Sequence, residues 1–286
     1  NIVNGILRSL MRSDLPDFQE IRDDKKRIAI EYSLPKWLVN HWVTHHGLEK
    51  TEEIAQSLLA PVKSTVRSNI SRGSVDDIVT KLENEGFNVE KDDILPFCLH
   101  VSGQTIVNSR AFKDGYVSIQ DKSSMMVAHI MKLGRDDKVL DACSAPGGKA
   151  CHMAEILSPE GQVDATDIHL HKIDLIQHNI KKLKLDNIHA FQHDATEPYK
   201  EMYDKILVDA PCSGLGVLRH KPEIKYTQTQ DSIQSLVDLQ LQILENIKHN
   251  IKSGGTITYS TCTIEQMENE NVIYTFLKQN EEFEFE

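Results

Sequence analysis

Two cysteines occupy the positions in this sequence best suited to covalent chemistry. Cys212 follows the run Ile206-Leu-Val-Asp209-Ala-Pro211, and Cys262 follows Thr256-Ile-Thr-Tyr-Ser260-Thr261. Both runs carry β-branched residues and read as strands, so each thiol falls just beyond a strand end. A cysteine inside a core is an inert small hydrophobe, the reading given to Cys98 and Cys151, and Cys143 reads as loop backbone. A thiol at the open end of a strand is instead placed to act as a nucleophile.

A second constellation lies upstream. Val139-Leu-Asp141-Ala-Cys143-Ser-Ala-Pro146-Gly147-Gly148-Lys149 reads as a strand entering a glycine-rich turn that opens a helix. Adjacent glycines let a ligand approach the backbone, and free amides at a helix start favour anionic groups. Asp167 closes the next strand, 20 residues after Gly147, where a carboxylate accepts from ribose hydroxyls. Asp194 is expected to close the third strand, within reach of an adenine amine. The turn alone fits any α/β protein, and neither G-x-G-x-x-G nor a P-loop is present. The two acidic strand ends point to S-adenosylmethionine or a related nucleoside.

A thiol beside a methyl donor suggests one reaction in particular. Carbon 5 of cytosine is a poor nucleophile, and thiolate addition at carbon 6 makes an enamine-like adduct whose carbon 5 can attack a methylsulfonium. Asp209, held protonated or hydrogen-bonded at ring nitrogen 3, would stabilise that adduct. A base must then remove the carbon 5 proton, with the target nucleotide turned out into a pocket.

The elements that must position these residues follow from periodicity. Lys138–Ala142, Gln162–Asp167, Ile188–Asp194, Tyr203–Asp209 and Thr256–Ser260 are strand candidates. Leu170–Lys184, Ser232–Ile251 and Glu265–Gln279 have helical period, and the alternation predicts a doubly wound parallel sheet, an α/β fold. Upstream, Thr65–Ile70, the helix Val75–Glu85 and Phe87–Glu90 suggest a small α+β module. Residues 1–60 read as helices, one with Trp37 and Trp42 on its core face, the last ended by Pro61. The expected organisation is a helical segment over 1–60, an RRM-like α+β module over 61–120 and a Rossmann-like catalytic domain over 121–286.

Composition bounds the rest. The chain has 286 residues, 43 acidic and 32 basic, for a net charge of −11. No apolar run reaches the length of a membrane span, and no signal peptide opens the chain, so a cytoplasmic location is expected, with no membrane partner. Five cysteines without a C-x-x-C pair fit neither a disulfide scaffold nor a zinc ribbon. His169-x-His171 and the His189/His193 pair lack companion ligands, so no metal is expected. Residues 121–286 hold 26 acidic against 17 basic residues. A polyanion partner would therefore depend on local clusters such as Arg219, His220, Lys221 and Lys225. Lys181, Lys182 and Lys184 fit a helix C-terminus better.

Four ordered stretches carry a resemblance: DACSAPGGK (141–149), DATDIHLHKID (164–174), DAPCSGLGVLRHKPEIK (209–225) and YSTCTIEQMENE (259–270). Together they resemble the Nop/Sun family of RNA cytosine-5 methyltransferases, and within it the bacterial branch acting on small-subunit (16S) ribosomal RNA. YSLPKWLV (32–39), STVRSNI (64–70) and VSIQDKSSMMVA (117–128) extend the likeness more loosely. The resemblance implies a class I methyltransferase fold and S-adenosylmethionine contacts from Cys143, Ser144, Ala145, Pro146, Gly147, Gly148 and Lys149, with Asp167, Asp194 and Asp209. It implies Cys262 as covalent nucleophile, Cys212 as the residue assisting adduct breakdown, Asp209 in the catalytic set and Lys149 reaching the substrate side. DNA enzymes place the nucleophile in the Pro-Cys motif, so the two cysteines together favour RNA. It further implies ribosomal RNA as partner and a monomeric enzyme. Asn1–Leu10 resembles the tail of a NusB-like RNA-binding domain, and the end at Glu286 falls where a last strand would begin, so the chain reads as a piece of a longer protein. The same chemistry on transfer RNA, or a non-catalytic ribosome-assembly factor, are the alternative readings.

Overall fold

The computed structural model describes residues 2–13, 17–60 and 64–286, so Pro61 lies outside the described residues. The chain divides into two compact units. The N-terminal helices and Leu215–Gln228 form the first, and both sheets fall in the second.

In the first unit, α1 (Ile2–Leu10) is exposed along its described length. It is followed by α2 (Asp24–Glu31), α3 (Lys36–His46) and α4 (Leu48–Ser57). Asp23 caps α2 by accepting from Lys26 N at 3.2 Å. Pro35 opens α3, where a missing amide proton costs nothing. Ile28, Leu34, Leu38, Val39, Trp42 and Ala55 are buried, so Trp42 is a core residue, while Trp37 is only half-buried. Arg27 makes a bidentate pair with Glu52 at 2.6 and 2.7 Å.

The second unit begins with a four-stranded antiparallel sheet. Its elements are β1 (Ser64–Ser68), α5 (Val75–Asn84), β2 (Asn88–Lys91), β3 (Cys98–Ser102), α6 (Arg110–Lys113) and β4 (Val117–Ile119). The strand order β2-β3-β1-β4 with helices after β1 and β3 is the ferredoxin-like arrangement. Ser74 caps α5, and Ile78 and Leu82 pack against Val66, Leu99, Val101 and Val117. The sequence pattern anticipates β1, α5 and β2 but misses β3. Leu99 and Val101 meet α5 on one face, while Cys98 joins Leu95, Phe97 and Met125 on the other. Burial on both faces removes the period-2 alternation that would have marked the strand.

The parallel sheet follows α7 (Lys122–Ile130). It comprises β5 (Lys138–Asp141), α8 (Gly148–Ile156), β6 (Gln162–Asp167), α9 (Leu170–Leu183), β7 (Ile188–Gln192) and β8 (Tyr203–Asp209). After β8 the chain passes through α10 (Ile224–Thr227), in the first unit, then returns in α11 (Gln230–Ile247), β9 (Ile251–Ser260) and α12 (Glu270–Gln279). The order β7-β6-β5-β8-β9 is fully parallel, as the alternation of strands and helices predicts. Val139, Val163 and Leu207 pack with α8 and α9 on one face, and Leu140, Ile206 and Val208 with α11 and α12 on the other.

Three boundaries depart from the sequence reading. β7 ends at Gln192, so Asp194 stands in the loop beyond the strand. β9 starts at Ile251, five residues before the strand read from the sequence, and α11 ends at Ile247 instead of Ile251. α12 starts at Glu270, because Gln266–Glu268 forms a separate 3₁₀ turn.

One buried side chain ties the two sheets together. Arg67 of β1 donates to both carboxylate oxygens of Glu155 in α8, at 2.9 and 2.7 Å, to the carbonyl of Gly148 at 2.8 Å, and to Gln120 Oε1. Both members of the ion pair have fully buried side chains.

Candidate active site

The sheet order reverses between β5 and β8, and crevices in doubly wound folds open at the carboxyl ends of such strands. The glycine-rich turn leaves β5 there. Gly147 is left-handed, with φ of 96°, and a side chain on it would bring a Cβ within 3.1 Å of Ile176. It caps α8, whose first-turn amides have no acceptor within the helix. The turn is held from below, since Ser144 N donates to Thr166 O at 2.7 Å and Ser144 Oγ to Asp141 O at 3.0 Å. Burial pushes the Cys143 thiol well up, consistent with the structural part read for it.

Asp167 closes β6, as expected. Its Oδ1 accepts from His169 N at 3.0 Å, and Lys172 Nζ approaches to 3.5 Å. Asp194 accepts from Thr196 N at 2.9 Å and Thr196 Oγ1 at 2.7 Å, bonds that hold its carboxyl below the usual range. A glycine cradle at a helix start, with an acid at the next strand end and another beyond the third, fits an adenosyl cofactor with a carboxylate tail.

Around Asp209 the predicted residues converge. Lys149 Nζ, from the first turn of α8, donates to Asp209 Oδ2 at 2.5 Å, and Ser260 Oγ donates to Oδ1 at 2.7 Å. The pair is half-open to solvent, with side-chain exposures of 15% for Lys149 and 27% for Asp209. Beyond it the sulfurs of Cys212 and Cys262 stand 3.2 Å apart, and Cys262 N also donates to Cys212 Sγ at 3.2 Å. Cys262 is exposed, while Cys212 is half-buried. The neighbouring Cys262 sulfur, with burial second, pushes the Cys212 thiol far up, because two sulfurs in contact resist a shared negative charge.

Asp141 sits beneath the turn, fully buried, with Ser144 and the Cys143 backbone as its nearest polar neighbours. Burial, and then the charge of Asp209, raises it to about 7. The sequence reading did not single it out, and its place as the last residue of β5 was the available signal. Ser260, Ser213, Thr263 and Glu268 were missed as well. Glu268 lies in the quoted 259–270 stretch but six residues past Cys262, too far for spacing to connect them.

The remaining candidate groups have contacts of their own. Arg219 donates to the carbonyl of Ser57 within the helical unit, and Lys182 Nζ lies 3.6 Å from the centre of the Phe112 ring. His169 and His171 stack, with ring centres 5.5 Å apart. Among the described residues only Asp92, Cys98 and His100 bring three metal-type ligands together, and Lys122 already supplies a cation 2.7 Å from Asp92. No described helix is long and apolar enough to cross a membrane.

Residues 128–286 match the family model for the 16S rRNA methyltransferase RsmB/F, more than half of the chain. The chain belongs to the RsmB/F family. Residues 34–108 match the model for the RsmF/B-like ferredoxin-like domain, in agreement with the antiparallel sheet. The family depends on S-adenosylmethionine, which fits the turn and the two acids described above. Among curated relatives, the probable ribosomal RNA small subunit methyltransferase B of Bacillus subtilis is 42% identical over 99% of this chain. The ribosomal RNA small subunit methyltransferase B of Proteus mirabilis is 31% identical over 96%. The chain spans 64% and 65% of the length of these two relatives. Among solved structures, a methyltransferase homologue from Pyrococcus horikoshii superposes with a TM-score of 0.79 at 26% identity, covering 91% of this chain and 83% of its own. NSun6 from the same organism, solved with SFG, shares the fold with a TM-score of 0.80 at 22% identity, covering 86% of this chain and 87% of its own.

Proposed function

We propose that this chain transfers a methyl group to carbon 5 of a cytidine in 16S ribosomal RNA through a covalent adduct on Cys262. The observation that carries the reading is the meeting of two sulfurs, 3.2 Å apart, beside the Lys149–Asp209 pair at the reversal of the sheet. S-adenosylmethionine supplies the electrophilic methyl carbon. Cys143 through Lys149, with Asp167, Asp194 and Asp209, would hold it.

Cys262 is the more exposed sulfur and the better solvated as an anion, so it is the one to add to carbon 6 of the flipped base. Addition places negative charge toward ring nitrogen 3. Asp209, with Lys149 behind it, would meet that charge with a shared proton. Carbon 5, now enamine-like, would form its bond to the methyl carbon as the methyl–sulfur bond breaks and S-adenosylhomocysteine leaves. A base then takes the carbon 5 proton, the carbon 5–carbon 6 double bond re-forms and the carbon–sulfur bond breaks. A proton on Cys212, 3.2 Å from the Cys262 sulfur, would stabilise that sulfur as it departs. Without such assistance the methylated adduct would persist.

The test is transfer of labelled methyl to small-subunit ribosomal RNA, followed by mapping of the product base. Label on carbon 5 of a cytidine is the expected result. Label on another atom, or on transfer RNA alone, would reject the assignment.

A further inference from the structure

The two cysteines belong to different loops, and sequence alone does not hold sulfurs from separate loops at contact distance. We infer that Glu268 is the positioning residue that keeps the loops of Cys212 and Cys262 in register. The inference rests on the covalent reading above for its meaning in catalysis, but not for its geometry.

Glu268 is fully buried in the 3₁₀ turn before α12. Its Oε1 accepts from Ser213 N at 2.7 Å and from Gln240 Nε2 at 3.2 Å, and its Oε2 accepts from Ser213 Oγ at 2.5 Å. Ser213 is the residue after Cys212, so the carboxylate grips the backbone and side chain of that loop together. Gln240 extends the grip, since its Nε2 also donates to Pro211 O at 2.9 Å, just before Cys212.

The direction of the hydrogen bonds is forced. A carboxylate only accepts, so the single Ser213 hydroxyl proton goes to Glu268. The 2.8 Å contact between Ser213 Oγ and Thr263 Oγ1 must then be donated by Thr263, the residue after Cys262. Thr263 Oγ1 in turn accepts from Glu265 N at 3.2 Å. One chain of bonds thus runs from the Cys262 loop through Thr263 and Ser213 into Glu268. The carboxylate is its terminus, and no neutral acceptor would orient both hydroxyls so firmly. The carbonyl of Glu268 receives Tyr259 OH at 2.7 Å, which anchors the turn to β9.

The test uses Glu268→Gln and the isosteric Thr263→Val, with Thr263→Ser as the variant that restores the hydroxyl. Thr263→Val leaves the carboxylate paired and should fold even if Glu268→Gln does not. The first readout is oxidation by diamide, in which two thiols give up two protons and two electrons to form the Cys212–Cys262 disulfide and the reduced hydrazine. The second is the rate at which RNA carrying 5-fluorocytidine becomes covalently bound. We expect Glu268→Gln and Thr263→Val to slow both steps by roughly ten- to a hundredfold, with Thr263→Ser near the wild-type rates and cofactor affinity unchanged. Wild-type disulfide and adduct rates in Thr263→Val and in folded Glu268→Gln would overturn the inference. If the disulfide rate responds but no variant, nor the wild type, forms an adduct, the register stands and the covalent reading fails.

Discussion

Helix α8 carries two ion pairs that differ in nearly every respect except sign. At its far turn Glu155 meets Arg67 with both side chains fully buried and every guanidinium contact satisfied by protein. At its first turn Lys149 meets Asp209 in a site still partly open to solvent. The first pair is a rivet between the two sheets. Its charges are taken out of water and compensated on all sides, leaving nothing free for a substrate. Among the described residues one further protein group, Ser260, holds the second, so it can exchange partners when a base or cofactor arrives. Burial, more than charge, separates the structural pair from the candidate chemical one.

That difference can be broken experimentally. Arg67→Ala should cost about 3–5 kcal/mol of stability by stranding Glu155 in the core, read as a fall in the denaturation midpoint. The double replacement Arg67→Met/Glu155→Leu should recover most of that loss. Lys149→Ala should do the reverse. Its stability should change by about 1 kcal/mol or less, as expected for a partly exposed pair, while methyl transfer falls by roughly a hundredfold or more. A Lys149 variant as destabilised as Arg67→Ala would erase the distinction.

Asp141, close enough to Asp209 and Lys149 to feel their charges, adds a dependence on pH. Its carboxyl is raised from 3.8 to about 7 in the folded chain. The unfolded chain releases that proton above about pH 4, whereas the folded chain keeps it until about pH 7. The stabilising contribution is therefore complete at low pH and is lost as pH rises through that window. Asp141→Asn should gain on the wild type from about pH 4 to 7 and then level off, by about 2–4 °C in Tm per kcal/mol. A constant difference across the window would contradict a carboxyl raised by burial.

The smallest effects concern RNA. A chain of net charge −11 has no general attraction for phosphate, so its binding to bare ribosomal RNA should be weak and fall with added salt. Lys221→Ala or Lys225→Ala should weaken it a few-fold and lower the salt slope by about one contact each. Tight binding insensitive to salt would show recognition by something other than phosphates.

Much of the site was legible in the sequence because its residues stand at strand ends in sequence order. Asp167, Asp209, Cys212 and Cys262 each follow a β-branched run, and the fold places such ends on one edge. What was not legible is what holds them. Glu268 and Ser213 are 55 positions apart, and Arg67 and Glu155 are 88 apart. Neither pair leaves a periodic trace, because long-range polar contacts depend on how whole elements pack. β3 was hidden for another reason, since burial on both faces removed its alternation. Asp194 was read as a strand end although β7 stops two residues before it, since a strand pattern does not record where pairing with its neighbour stops.

The central claim is that Cys262, and not Cys212, carries the substrate. The direct measurement is peptide mapping by mass spectrometry of the covalent complex formed with 5-fluorocytidine ribosomal RNA in the presence of S-adenosylmethionine. The fluorine blocks loss of the carbon 5 substituent, so the adduct persists and its anchoring residue can be read. The expected result is a nucleotide on the peptide containing Cys262, absent in Cys262→Ala and retained in Cys212→Ala. Attachment at Cys212, or full methyl transfer by Cys262→Ala, would contradict it.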